Sequence, residues 1–152
     1  MEYKRPTKDE YYLDLAGSVS KRGTCTKVEI GAVIIRDDQV LASGYGGEPR
    51  GTKSSHEHGF CLRKKLGIPS GHRYEMCRSV HAEQNAIIQA AYHGASIKDA
   101  TLFCTNMPCS ICAKMIINAG IRTIYYLSGY ADVMSEAMRK EAGVDVPKLE
   151  TT

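Results

Sequence analysis

Apolar residues recur at helical spacing in several segments of the chain. The first such segment runs from a capping residue, Thr7 or Asp9, to about Val19. A second covers His81–Tyr92, and Gly94 could end that helix in a left-handed cap. The same periodicity predicts two further helices, over Pro108–Ala119 and Ala131–Lys140.

Short runs of β-branched and apolar residues alternate with these helices. Val28–Ile35 and Gln39–Tyr45 are separated by Arg36-Asp37-Asp38, which predicts an antiparallel hairpin with a tight turn. Three more strands are predicted, at Ala100–Thr105, Ile121–Leu127 and Val144–Val146. The order α-β-β-α-β-α-β-α-β favours an α/β fold with a five-stranded mixed sheet that is covered by helices on both faces.

The segment Gly46–Ser79 breaks this regular pattern. It is rich in Gly, Pro, Lys and His and has weak periodicity. Such long loops are uncommon within compact domains and commonly carry function. We therefore expect part of the functional site here.

Composition places the chain among ordinary globular proteins. Its 152 residues suit one domain over residues 1–152, with 43% apolar and 24% charged residues. No apolar run approaches the ~18 residues that suggest a membrane span. The first residues lack the apolar core of a secretory signal, so we expect a cytoplasmic protein.

Charge and cysteine content narrow the chemistry further. Twenty Lys and Arg against 17 Asp and Glu give a net charge of +3, which is small for a nucleic-acid surface but compatible with a small phosphorylated substrate. The six cysteines of an intracellular chain are metal ligands or buried residues more often than disulfide partners.

Two motifs at predicted helix starts supply metal ligands: His81-Ala82-Glu83 and Pro108-Cys109-Ser110-Ile111-Cys112. Zinc favours imidazole and thiolate, and three protein ligands leave the fourth tetrahedral position open to water. Cys109 and Cys112 share a helix face, and a helix N-terminus favours the thiolate form. The motifs predict a catalytic zinc held by His81, Cys109 and Cys112.

Glu83 is the predicted acid–base residue. Bound zinc can lower the pKa of its water to about 7, and Glu83 can carry the water proton to a pyrimidine ring and its leaving amine. H-x-E followed by P-C-x-x-C is the signature of zinc deaminases that attack C4 of cytosine or C6 of adenine. The alternative is a closed zinc site or two buried cysteines, but a closed site needs a fourth ligand.

With these motifs the chain resembles, nearly end to end, the deoxycytidylate deaminases of the bacterial and phage type, within the cytidine deaminase superfamily. The further blocks that carry the resemblance are Ser20-Lys21-Arg22-Gly23-Thr24-Cys25, Val28–Ile35, Gly44-Tyr45-Gly46-Gly47-Glu48-Pro49-Arg50-Gly51 and Cys77–Ile87. The resemblance implies a cytidine deaminase-like, three-layer α/β/α sandwich. It also implies hydrolysis of deoxycytidine monophosphate (dCMP) to deoxyuridine monophosphate (dUMP) and ammonia, which supplies dUMP for thymidylate synthesis.

The resemblance also implies a homo-oligomer, often a hexamer, and many relatives are activated by dCTP and inhibited by dTTP. Two positions depart from the family pattern. Relatives usually have Asn at the position of Gly46, where it lies against the substrate sugar, and often have Arg near the position of Tyr92. The departures bear on nucleotide binding and on allosteric control.

Substrate contacts follow from the same resemblance. It assigns four residues to the substrate site: Gly44, Tyr45, Gly46 and Ala82. Arg22 matches a basic position of the family and is a candidate phosphate ligand, since Arg grips phosphate in a bidentate way. A solvated helix end is the alternative for Arg22, and Lys27 and Arg50 are further candidates.

Three more cysteines lie in or beside loops and are accompanied by three histidines: Cys25, Cys61, Cys77, His56, His58 and His72. Relatives of this subgroup place Cys or His at similar positions, and a metal would order the segment Gly46–Ser79. The resemblance implies a structural zinc with four ligands: Cys25, His56, Cys61 and Cys77. The alternative is three reduced, partly buried cysteines with surface histidines. Cys104 is predicted to be a core strand residue.

Two other functions compete with dCMP deamination. One is deamination of another base, as in tRNA, a purine or free cytidine, and the other is a zinc-stabilised binding module without catalysis. A tRNA deaminase is expected to present a more basic face, and a binding module would not need Glu83. dCMP deamination is favoured, with neither nucleic acid nor membrane as a partner.

Overall fold

The computed structural model describes residues 1–150, so the last two residues of the predicted domain, Thr151 and Thr152, lie outside the described part. Within it the strands are β1 (Gly31–Arg36), β2 (Gln39–Tyr45), β3 (Thr101–Asn106) and β4 (Thr123–Ser128). The helices are α1 (Lys8–Ser20), α2 (Ser55–His58), α3 (Leu62–Lys65), α4 (Ala82–His93), α5 (Ser110–Asn118) and α6 (Val133–Ala142). A 3₁₀ turn covers Tyr74–Met76. None of these helices has the length and apolar character of a membrane-spanning segment.

The four strands form one mixed sheet in the order β2-β1-β3-β4. β1 is antiparallel to both β2 and β3, whereas β3 and β4 are parallel and joined through α5. The predicted hairpin is confirmed: its two turn residues, Asp37 and Asp38, have φ of 51° and 60°, as a two-residue type I′ turn requires. β1 begins at Gly31, later than predicted, and Val28 and Ile30 before it line a cavity.

The predicted fifth strand, Val144–Val146, is reduced to a one-residue bridge, so the expectation of five strands was one too many. Asp145 bridges Thr123 in parallel: the Asp145 amide donates to Arg122 O, and the Ile124 amide donates to Asp145 O, both at 2.9 Å. The next ladder bond would need an amide hydrogen at residue 147. That residue is Pro147, which has none, so pairing stops.

Helices cover both faces of the sheet, which confirms the three-layer α/β/α prediction. On one face α1 packs over an aromatic cluster in which Tyr12 contacts Phe103 and Phe103 stacks on Tyr125, with ring centroids 5.1 and 4.8 Å apart. On the other face α4 and α5 bury a larger apolar cluster with Ile34, Leu102, Ala86 and Ile116 among its members. α6 packs against α5.

Local signals fix the helix ends. Thr7 caps α1 in a capping box with Glu10, and Gly94 ends α4 in the left-handed region at φ 73°. His81 and Cys109 are the N-cap residues of α4 and α5, both with extended backbone. α5 therefore starts two residues later than the predicted Pro108, and a reactive side chain occupies the cap of each helix.

Gly44 allows α4 to lie directly on the backbone of β2. A Cβ atom at Gly44 would overlap the carbonyl oxygen of Ala82 and the amide nitrogen of Ala86, both on the first turns of α4. Those are backbone atoms of a helix, which cannot move aside as a flexible side chain could. A residue without a side chain is therefore required at this crossing.

We expect Gly44→Ala to lower the free energy of unfolding by at least about 2 kcal/mol, because overpacking forces the helix away from the sheet. The matched control is Gly17→Ala in α1, where an added Cβ meets no atom within 4 Å. Since Ala is the better helix former, this variant should gain about 0.5–1 kcal/mol. Urea unfolding curves measure both, and equal stabilities for the two variants would contradict the close-contact argument.

Candidate active site and metal centre

The caps of α4 and α5 bring three metal-ligating side chains together. His81 Nδ1 lies 3.5 Å from Cys109 Sγ and 3.3 Å from Cys112 Sγ. The three ligand atoms all lie within 4.8 Å of one another, and in the described part of the chain no other group of three His, Cys, Asp or Glu side chains is as close. The motifs that are separate in the sequence thus form one cluster at the ends of two helices.

The cluster fits a zinc ion by both chemistry and spacing. Tetrahedral bonds of about 2.3 Å to sulfur and 2.0–2.1 Å to nitrogen would separate S and N ligands by about 3.6 Å. The measured separations of 3.5 and 3.3 Å are close to that value. One imidazole and two sulfurs leave one tetrahedral position for another ligand, as in catalytic zinc sites.

Hydrogen bonds within the cluster shift the pKa values of its side chains. The pKa of Cys109 is lowered to about 4, chiefly because Cys112 hydrogen-bonds to its sulfur. The pKa of His81 is raised to about 10, chiefly through its hydrogen bond with Cys109. A thiolate at a helix N-terminus is a ready cation ligand, and binding a metal would release the proton that His81 holds.

Glu83 lies beside the cluster and is almost completely buried, with 4% of its surface exposed. Cys112 Sγ lies 3.5 Å from its Oε2, and Cys104 Sγ donates to its Oε1 at 3.2 Å. Burial raises the pKa of the Glu83 carboxyl above its ordinary value. Cys104 is a buried core residue, as predicted, but its contact with Glu83 is not readable from strand periodicity.

A cavity of about 280 Å³ opens on His81 and Ala82. Its walls come from the start of the sheet, at Val28 and Ile30, and from the loop before α4. Tyr74 packs edge-on against the His81 ring, with centroids 5.4 Å apart. The sequence patterns did not single out Tyr74, because it lies in the long loop where no periodicity marks a buried face.

The four residues that family resemblance assigns to the substrate site do not all lie at the cavity. Gly46 and Ala82 line the cavity. Gly44 packs against the backbone of α4, and Tyr45 lines a neighbouring surface depression. Of the predicted phosphate ligands, exposed Lys27 lines the cavity and exposed Arg22 does not. Arg50 instead stacks over the ring of Tyr92, 4.6 Å from its centroid.

The loop cysteines lie near the cavity without forming a closed ligand set. Cys25, Cys61 and Cys77 all line it, while His56 is exposed on α2 outside it. In residues 1–150 no three of these four side chains bring their ligand atoms within 4.8 Å of one another. Cys77 hydrogen-bonds with His81, and this contact is the main cause of its lowered pKa.

Glu48 holds the long loop against the rest of the molecule. Its carboxylate accepts hydrogen bonds from Thr24 Oγ1 at 2.6 Å, from the Ser55 amide at 2.8 Å and from the Ser55 hydroxyl. Paired backbone bonds between Gly47 and Val80 join the two ends of the loop. Burial alone would raise the pKa of Glu48, but the hydrogen bonds from Ser55 and Thr24 together outweigh it and lower the pKa, which favours the charged carboxylate.

Known proteins are similar to this chain in sequence. The cytidine and deoxycytidylate deaminase zinc-binding region matches residues 6–128. The deoxycytidylate deaminase of Mycobacterium phage D29 is 33% identical over 127 residues, covering 80% of this chain and 95% of the phage protein. That of Schizosaccharomyces pombe is 33% identical over 143 residues, covering 93% of this chain but 44% of the yeast protein. The chain thus spans about half the length of the fungal relatives it matches.

A solved structure shares the fold as well. The dCMP deaminase of cyanophage S-TIM5 in complex with dCMP and dUMP superposes with a TM-score of 0.75 at 29% identity, covering 97% of this chain and all of the other. The family match includes both helix caps that build the metal cluster. From this shared region, we conclude that the chain belongs to the cytidine and deoxycytidylate deaminase family.

Proposed function

We propose that this protein hydrolyses the 4-amino group of dCMP, giving dUMP and ammonia. The observation that carries the proposal is the buried carboxyl of Glu83 against the His81, Cys109 and Cys112 cluster, whose histidine lines a cavity. The relatives named deoxycytidylate deaminase, and the cyanophage enzyme that holds dCMP and dUMP, support this substrate.

In this proposal His81, Cys109 and Cys112 hold a zinc ion. The chemistry that zinc supplies in such a site is the activation of a water molecule for attack at neutral pH. Glu83 would accept one proton of the attacking water at Oε2, the oxygen nearer to Cys112, and deliver it to the ring nitrogen. It would then carry the second proton of that water to the amino group, which leaves as ammonia. Cys104 holds the other oxygen, Oε1, so the carboxyl keeps one orientation.

We further propose a second, structural zinc held by Cys25, Cys61, Cys77 and His56. The support is that three sulfurs line one cavity at the edge of the long loop. His56 would have to approach from the neighbouring helix α2, which has only four residues. The resemblance to dCMP deaminases also supports a homo-oligomer and regulation by dCTP and dTTP.

Replacing Glu83 tests the acid–base role. We expect Glu83→Gln to keep the fold and the zinc but to lower kcat for dCMP by about 10²–10⁴-fold, because the amide cannot carry the proton. Turnover is measured as ammonia release, alongside zinc content. The exposed Glu141, at the end of α6, supplies the control Glu141→Gln, which should behave as wild type. Full activity in Glu83→Gln would refute the mechanism.

Metal analysis tests the second zinc. Purified protein should contain two zinc ions per chain, one lost in Cys109→Ser and the other lost in Cys61→Ser. A single zinc in fully active wild-type protein would refute the second site, and Cys25, Cys61 and Cys77 would then be reduced loop cysteines. Limited proteolysis of Cys61→Ser should then cut the Gly46–Ser79 segment no faster than in wild type.

Gly46 tests the sugar contact. An added Cβ at Gly46 meets no atom within 4 Å, and the residue does not have the positive φ that would exclude Asn. Gly46→Asn should therefore supply a hydrogen bond worth about 0.5–1.5 kcal/mol, which raises kcat/KM for dCMP by a few-fold to about tenfold. Steady-state kinetics with dCMP and CMP decide the matter, and a tenfold loss on both substrates would show that the amide is harmful here.

A further inference from the structure

Arg63 is a buried cation in the wall of the cavity. Its residue surface is 7% exposed, although its neighbours Lys64 and Lys65 on the short helix α3 are exposed. Nη2 donates to the carbonyl oxygens of His72 at 2.8 Å and Pro69 at 3.3 Å. Nε is buried with no hydrogen-bond partner in the described part of the chain.

No carboxylate pairs directly with this charge, since none of the ion pairs within residues 1–150 involves Arg63. The pKa of exposed Glu75 is lowered mainly by its hydrogen bond with Arg73, and the charge of Arg63 adds only the last of the contributions. Taking a charge out of water without a counter-ion is costly, and two carbonyl contacts recover only part of that cost. The face of Tyr74 recovers some more, since the Arg63 guanidinium lies 4.8 Å from its ring centroid. An anion bound in the cavity would complete the compensation.

The position of Arg63 relative to the metal cluster indicates which anion the cavity would bind. Tyr74 contacts both: its ring centroid is 5.4 Å from that of His81 and 4.8 Å from the guanidinium carbon of Arg63. The cation in the cavity wall therefore lies no more than one aromatic residue away from the metal cluster. This is the scale of the separation between the pyrimidine and the phosphate within one nucleotide.

We propose that Arg63 binds the 5′-phosphate of the substrate and makes the enzyme selective for a nucleoside monophosphate over the nucleoside. The inference rests on the proposed function, since it assumes a pyrimidine at the metal cluster. A planar guanidinium matches two phosphate oxygens at once and carries a permanent positive charge. Lys27, exposed at the same cavity, adds positive charge. Arg63 takes the role that the sequence resemblance gave to Arg22.

The competing role for Arg63 is purely structural, since its contacts with Pro69 and His72 brace the loop after α3. The two roles differ in what they do to different substrates. A phosphate ligand affects dCMP and leaves deoxycytidine untouched, whereas a loosened loop lowers the turnover of both.

The test compares kcat and KM for dCMP and deoxycytidine in wild type, Arg63→Gln and Arg63→Lys, each checked for zinc content and thermal stability. Loss of a charged hydrogen-bonding partner predicts a drop of about 10- to 100-fold in kcat/KM for dCMP, carried by KM, with less than about a twofold change for deoxycytidine. Arg63→Lys keeps the charge but not the paired N–H donors of the guanidinium, so kcat/KM should fall several-fold for dCMP alone. Lys64→Gln, on the same helix and outside the cavity, controls for net charge.

Equal losses on both substrates, or an unchanged KM for dCMP, would overturn the assignment of Arg63. If Arg63→Gln is too unstable to purify, Arg63→Lys decides by the same ratio, and by KM alone where deoxycytidine turnover is too slow to measure. Failure of the proposed function gives a different result, because wild type would then show no dCMP turnover at all.

Discussion

The crossing of α4 over β2 is the contact on which the site depends. With only hydrogen at Gly44, the first turns of α4 rest on the strand backbone, and the start of the helix is fixed relative to the sheet. His81 caps that helix and Glu83 follows in its first turn. The parallel crossover from β3 through α5 to β4 then brings the cap of α5 to the same edge. Chemistry that needs sub-ångström placement is thereby carried by helix starts, which rigid packing holds.

The cavity beside the metal cluster rests on a different kind of structure. Much of the cavity wall comes from the loop between β2 and α4, whose order depends on polar contacts such as those of Glu48 with Thr24 and Ser55. Scaffold loops vary more readily than packed elements, so a change in substrate preference needs no change in the metal cluster. If the cavity takes dCMP as proposed, such a change would act through Gly46 and Arg63, which both lie on this loop and line the cavity.

Much of the fold was readable from the sequence because the deciding signals are local. The Thr7 capping box, the Asp37-Asp38 turn and the Gly94 cap each act within a few residues, and the metal motifs sit at helix starts that these patterns predict. What could not be read depends on distant contacts. The weak pairing of Asp145 is cut short by Pro147, and Arg63 is buried although it heads the run Arg63-Lys64-Lys65, which reads as a solvated surface. Burial of a single cation in a loop leaves no periodic trace.

The aromatic cluster beneath α1 has a consequence for how the chain assembles during synthesis. α1 leaves the ribosome well before Phe103 and Tyr125 of its aromatic cluster, because these residues belong to β3 and β4. Contacts between such distant segments slow folding, because a long stretch of chain must be closed before they form. β1 and β2 can cover part of the apolar side of α1 early, but the part that packs on β3 and β4 stays uncovered until those strands emerge. During this interval the nascent chain is exposed to aggregation and to chaperone binding.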